Sequence, residues 1–156
     1  MSPMQESMLT AIKVGDPAPK FKLSCFPSGT ISLDNFIGKK NVILAFYPKD
    51  DTPGCTKEMC AFSEDLSNFA EAGTQVLGIS CDPVTSHEKF AGKHGLKQPL
   101  LADTDGKVGK LYGTVTPDKA TANRVLFVID KKGIVRHIYQ GIPENKTLLS
   151  FVKTLK

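Results

Sequence analysis

The segment Val42-Ile43-Leu44-Ala45-Phe46 is apolar at every position and shows none of the alternation of a strand with one wet face. Such a run suits a strand buried on both faces, so the chain has to supply a sheet with material packed on each side. The flanking sequence supplies it. After the loop Pro48 to Gly54, apolar residues recur at Met59, Phe62, Leu66 and Phe69, and Gly73 stands where a left-handed cap ends a helix. Gln75 to Ser80 reads as a second buried strand, and Ser86 to His94, closed by Gly95, as a second helix. Leu100-Leu101 is a third strand and Lys107 to Tyr112 a short helical turn. Val125 to Asp130 and Ile134 to Tyr139 flank the hairpin signal Lys131-Lys132-Gly133, and Asn145 to Leu155 is the closing helix. Near the start, Phe21 to Leu23 and Ile31 to Leu33 surround the turn Pro27-Ser28-Gly29, which predicts an opening hairpin. The pattern predicts an α/β domain with a mixed central sheet and helices on both faces.

Length and charge narrow the options. The chain has 156 residues, 40% of them hydrophobic and 23% charged, which fits one domain over residues 1–156 with Met1 to Thr10 as a polar, flexible tail. Met1, Met4 and Met8 fall on one helical face, so a short helical extension is the alternative there. The net charge of +4 comes from scattered bases, with Lys39-Lys40 and Lys131-Lys132 the only adjacent pairs, so a nucleic-acid stripe is not expected. The longest apolar run, Val42 to Tyr47, is too short to span a membrane, and no apolar leader precedes Lys13. A cytoplasmic protein is expected. Four cysteines in such a chain are catalytic, metal-binding or simply buried.

Cys55 has the most informative surroundings. Thr52 followed by Pro53 reads as an N-cap with proline at the first helical position, which places Cys55 at the third position of the first turn. Unpaired backbone N–H groups and the helix dipole there favour a thiolate. They do not suffice, because moving a thiol from about 8.5 to about 6 takes roughly 3.4 kcal/mol and a helix end supplies about 0.3 to 1. A working nucleophile needs a cation beside it, and Arg124, at the start of the buried strand Val125 to Ile129, is the candidate. Cys60 lies five residues on, about 7.5 Å and about 140° around an intact helix. A disulfide needs Cα atoms within roughly 7 Å, so a Cys55–Cys60 bond requires local unwinding.

The run Phe46 to Cys60, Phe-Tyr-Pro-Lys-Asp-Asp-Thr-Pro-Gly-Cys-Thr-Lys-Glu-Met-Cys, resembles the active-site segment of peroxiredoxins, specifically the bacterioferritin comigratory protein (Q-type) group. The likeness extends to Val14 to Pro19, Leu77 to Ser80, Ser86-His87 with Phe90, Leu100 to Asp103 and Arg124 to Asp130. It implies a thioredoxin-like fold with an N-terminal β-hairpin extension and a thiol peroxidase acting on hydrogen peroxide and organic hydroperoxides. Carried over, Cys55 is the peroxidatic nucleophile, Thr52 binds the peroxide through its hydroxyl, Pro48 shields the pocket, and Arg124 stabilises thiolate and developing charge. The Cys55 N–H adds a donor to the peroxide, and Glu58 orients Arg124. Cys60 resolves the sulfenic acid as an intramolecular disulfide, which a thioredoxin-like dithiol reduces. A monomer is implied, with no cofactor and no metal. Leu126 stands where the family often has Thr.

Other readings stay open. Cys25 and Cys81 fall outside the motif, and Cys81, following a parallel strand, could lie near Cys55 and resolve in place of Cys60. His87 and His94, two helical turns apart, are too distant to share a metal and are read as surface residues. A dithiol–disulfide oxidoreductase is disfavoured by the lack of Cys-x-x-Cys. A redox-responsive binding module or holdase, switched by a Cys55–Cys60 bond, is the alternative from another class.

Overall fold

The computed structural model describes residues 12–118 and 120–155, so the helical extension weighed for Met1 to Thr10 lies outside the described residues. A seven-stranded mixed sheet organises the chain. Its strands are β1 Lys22–Phe26, β2 Thr30–Ser32, β3 Asn41–Phe46, β4 Thr74–Ser80, β5 Leu100–Ala102, β6 Val125–Ile129 and β7 Val135–Gln140. They lie in the order β2-β1-β5-β4-β3-β6-β7. The three central strands are parallel, with Ala45 beside Gly78 and Gly78 beside Leu100. The two predicted hairpins, β1–β2 and β6–β7, close the sheet at opposite edges.

The unbroken apolar run behaves as its pattern requires. All six residues of β3 are buried, and the two-residue period of a strand sends them to opposite faces. Val42, Leu44 and Phe46 join one core cluster with Leu77, Ile79, Leu101, Phe127 and Ile129. Ile43 and Ala45 join the other with Val76, Leu100, Leu126 and Val128. Helices α1 Pro53–Glu64, α2 Leu66–Glu71, α3 Val84–His94 and α5 Asn145–Val152 all cover the second face. Among the described residues, the first face carries the short α4, Lys107–Leu111, a 3-10 turn at Leu33–Asn35, the N-terminal segment and the loop holding Val115 and Ala122. Helices thus lie on both faces, but unevenly.

One helix differs from expectation. The apolar recurrence from Met59 to Phe69 predicts a single helix ending at Gly73, and Gly73 does take a left-handed φ of 67°. The helix is nevertheless interrupted at Asp65, whose carboxylate accepts from the side-chain amides of Asn68 at 3.0 Å and Asn145 at 2.9 Å. Local side-chain bonds of this kind compete with the helical ladder. Helix α3 ends as predicted, with Gly95 at φ 65°.

Candidate active site

β3 delivers the chain to the site, and the loop from Tyr47 to Thr52 turns it into α1. Thr52 occupies the N-cap with extended backbone and Pro53 the first helical position, so Cys55 is the third helical residue. The Thr52 hydroxyl does not cap the helix. It donates instead to the Lys49 carbonyl at 2.9 Å, which tightens the loop and leaves its oxygen free to accept a further bond. The core face of α1 is Cys55, Glu58, Met59 and Phe62, spaced i, i+3, i+4 and i+7. Cys55 is fully buried and Cys60, around the helix from it, is half-buried.

Arg124 immediately precedes β6, and its carbonyl accepts from the Gly141 amide at 3.0 Å, which pins its backbone across the β6–β7 pair. Its side chain crosses to the start of α1. One guanidinium nitrogen, Nη2, lies 3.1 Å from Cys55 Sγ, and the other, Nη1, donates to Glu58 Oε1 at 2.8 Å. Gly54 eases the approach, since a Cβ there would stand 3.1 Å from Arg124 Nη2 and crowd it. Burial pulls the guanidinium down, but Cys55 and Glu58 outweigh it and hold Arg124 firmly charged. Burial pushes the Glu58 carboxyl up to about 7, against the pull of Arg124. A fixed cation thus lies on a dry sulfur, oriented by a carboxyl on the same helix face.

The loop itself is bolted to α3. The carboxylate of Asp50, nearly fully buried, accepts from Tyr47 Oη at 2.6 Å and Ser86 Oγ at 2.8 Å, and lies 2.7 Å from His87 Nδ1. His87 Nε2 donates to the Leu101 carbonyl at 2.8 Å. The surface reading of His87 is therefore wrong, for the ring is completely buried. The residue falls on the inner face of α3 beside Phe90 and Ala91, and Asp50 supplies the partner that lets a polar ring sit there. Asp50 is the site residue that sequence reasoning passed over; the signal was a histidine on the apolar face of a predicted helix, one residue after Ser86. His94 does reach the surface and, with Lys93, bonds the Asp51 carboxylate at 2.9 Å. Those contacts, His94 first, hold Asp51 below its usual carboxylate range, and its backbone takes φ 60°, a left-handed conformation that aspartate tolerates.

Among the expected residues, Arg124 bonds both Cys55 and Glu58, Thr52 occupies the N-cap of the helix that carries those two, and Pro48 stands half-buried at the exit of β3. Cys60 is about 1.4 turns along α1 from Cys55. Cys81 is not brought to them: it packs with the cluster on the other sheet face, as does Cys25. Burial and the carboxylates of Asp103 and Asp82 push the Cys81 thiol up, and burial does the same to Cys25. Leu126 lies fully buried on the Cys55 face.

A thioredoxin-like sheet that presents a cysteine in the first turn of a helix, with an arginine laid on its sulfur, defines the thiol peroxidases. The comparisons agree. Residues 14–138 match the model of the AhpC/TSA family, and the chain belongs to that family, within its bacterioferritin comigratory protein (Q-type) group of peroxiredoxins. It is 42% identical to a putative peroxiredoxin bcp of Coxiella burnetii, over 85% of this chain and 91% of that one. It is 43% identical to the chloroplastic peroxiredoxin Q of Triticum aestivum over 83% of this chain, but spans only 60% of that longer protein. In structure it resembles peroxidoxin BcpB of Mycobacterium tuberculosis, with a TM-score of 0.85, 31% identity and coverage of 93% and 99% of the two chains. The Xylella fastidiosa PrxQ gives a TM-score of 0.83 at 26% identity, covering 92% and 96%.

Proposed function

We propose that the chain reduces hydrogen peroxide and organic hydroperoxides by an attack of Cys55 on the terminal peroxide oxygen. The sulfur is oxidised by two electrons to a sulfenic acid, the O–O bond breaks, and the leaving oxygen takes a proton to depart as water or alcohol. The observation that carries this reading is Arg124 Nη2 at 3.1 Å from Cys55 Sγ, inside a site that otherwise buries the sulfur. The cation stabilises the thiolate and the charge that develops on the departing oxygen. Thr52, its proton already given to Lys49, accepts from the peroxide O–H, and the Cys55 amide, outside the helical ladder, donates to a peroxide oxygen. Pro48 screens the pocket, and Glu58 orients Arg124.

In this reading Cys60 attacks the sulfenic sulfur. The S–S bond forms, the S–O bond breaks, and the hydroxyl leaves as water with the Cys60 proton. Because the two cysteines are too far around α1 to bond in the intact helix, the turn opens first. A thioredoxin-like dithiol then reduces the disulfide. An intramolecular pair lets a monomer complete the cycle, and the single sheet carrying both core clusters supports one domain over 1–156. Four cysteines, too few for a stapled secreted scaffold, fit a reducing compartment, the cytoplasm. Among the described residues no helix is long and apolar enough to cross a membrane.

Non-reducing peptide mapping after one equivalent of hydrogen peroxide, on the wild type and on Cys55→Ser, tests the scheme. A Cys55–Cys60 link within one chain, absent from the variant, is expected. A Cys55–Cys81 link, or a link between chains, replaces the resolving step, and an unreacted Cys55 ends the peroxidase reading.

A further inference from the structure

The third turn of α1, which carries Cys60, is held from outside at the carbonyls of the two residues that flank Cys60. Gln98, in the loop before β5, donates from Nε2 to the Met59 carbonyl at 2.9 Å. Asn145, at the start of α5, donates from Nδ2 to the Ala61 carbonyl at 2.9 Å and to Asp65 Oδ2 at 2.9 Å. The helix does not need these bonds for its own satisfaction. The Ala61 carbonyl already accepts the Asp65 amide at 3.3 Å, and the Met59 carbonyl lies in the helical ladder. Gln98 is itself fixed, since its Oε1 accepts the Ser63 hydroxyl, which also takes the Lys97 amide at 3.1 Å. It is also buried, so opening the turn strands its amide without a partner.

We infer that Gln98 and Asn145 form a brace across Cys60 that sets how readily this turn opens, and thereby how the Cys55 sulfenic acid divides between disulfide and further oxidation. The inference rests on the Cys55–Cys60 resolution proposed above. Once the sulfenic acid has formed, two fates compete. Cys60 can displace its hydroxyl as water and close the S–S bond, or a second hydroperoxide can transfer an oxygen to the sulfur, giving a sulfinic acid and water or alcohol. Only the first fate requires the turn to open, so a tighter brace favours the second. The side-chain bonds of Gln98 and Asn145 run to Met59, Ala61, Ser63 and Asp65 rather than to Cys55, Arg124 or Thr52, so both act as positioning residues.

Gln98→Met and Asn145→Ala each remove one donor while keeping an apolar or helix-compatible side chain. After a pulse of hydrogen peroxide and rapid acid quench, mass spectrometry is expected to show disulfide forming about two- to tenfold faster in Gln98→Met, the ratio that loss of one such hydrogen bond corresponds to, and at least as much faster in Asn145→Ala, which loses its bonds to both Ala61 and Asp65. The ratio of sulfinic to disulfide product under excess peroxide should fall by the same factor, while the rate of the first Cys55 oxidation stays at the wild-type value. In a Cys60→Ser background neither substitution should alter sulfinic formation, a control that a general loss of stability would not satisfy. Hydrogen exchange should quicken at the amides around Cys60 and not in β3. Asn145 is half-buried, so its variant answers the question if Gln98→Met does not fold. Disulfide formation at the wild-type rate or slower in Asn145→Ala overturns the brace. Absence of any Cys55–Cys60 disulfide in the wild type overturns the resolving step beneath it instead.

Discussion

The two faces of the sheet each bury cysteine sulfur, and the α1 face sets an arginine on it. On the α1 face, Cys55 is fully buried beneath an arginine 3.1 Å away and a carboxyl that orients it. On the α4 face, Cys25 is nearly as buried and offers its sulfur to the Ser28 carbonyl at 3.3 Å, while Cys81 looks onto Asp82, Asp103 and Asp105. Burial alone raises a thiol and makes it inert. The proposed nucleophile lies on the face where a guanidinium meets the sulfur, and that guanidinium comes from a residue 69 positions away in the chain.

The comparison breaks most visibly at the nucleophile: Cys55→Ser should reduce peroxide consumption to the uncatalysed background, measured as peroxide loss with a dithiol reductant. Retained turnover would move the chemistry to the other face. Removing the cation alone comes next. Arg124→Met is expected to slow oxidation of Cys55 by about 10²- to 10³-fold in single-turnover stopped flow, the range for losing one preorganised charge donor. A loss below about tenfold would assign the work to the helix terminus instead.

Glu58 sharpens the contrast through pH. Burial lifts its carboxyl from 4.5 to about 7, so the native chain keeps a proton there that the unfolded chain releases. Its contribution to stability is full below about pH 4.5 and is lost as pH rises through about 7. Relative to Glu58→Gln, the wild type should lose up to about 3 kcal/mol of stability between about pH 5 and about pH 8 in urea titrations. A constant difference between the two proteins would refute the shift. The smallest effect belongs to the other face: Cys25→Ala and Cys81→Ala should leave peroxide turnover unchanged and cost about 1 kcal/mol of stability. A stalled cycle in Cys81→Ala would join the two faces after all.

Much of this was legible in the amino-acid order. The unbroken run of β3, the hairpin at Lys131 to Gly133, the glycines ending helices at Gly73 and Gly95, and the placing of Cys55 by Thr52 and Pro53 all follow from patterns a few residues long. Arg124 was legible as a candidate through its place before a buried strand and its resemblance to the family. His87 was misread, because a helix wheel shows which face is inward but not that Asp50 waits there to bond the ring. The break at Asp65 was hidden for the same reason, its competing amide from Asn145 arriving from 80 residues away.

The sequence by itself determined the elements, their buried faces and the cysteine at the head of a helix, because strand period, helix period and capping act between near neighbours. The tertiary structure alone decided which cysteine meets a cation, which carboxyl burial pushes up to about 7 and which amides restrain Cys60. Those outcomes depend on side chains from Arg124, Gln98 and Asn145, brought to α1 by the strand order of the sheet. Their strength comes from burial, which exists only once the chain has closed around them.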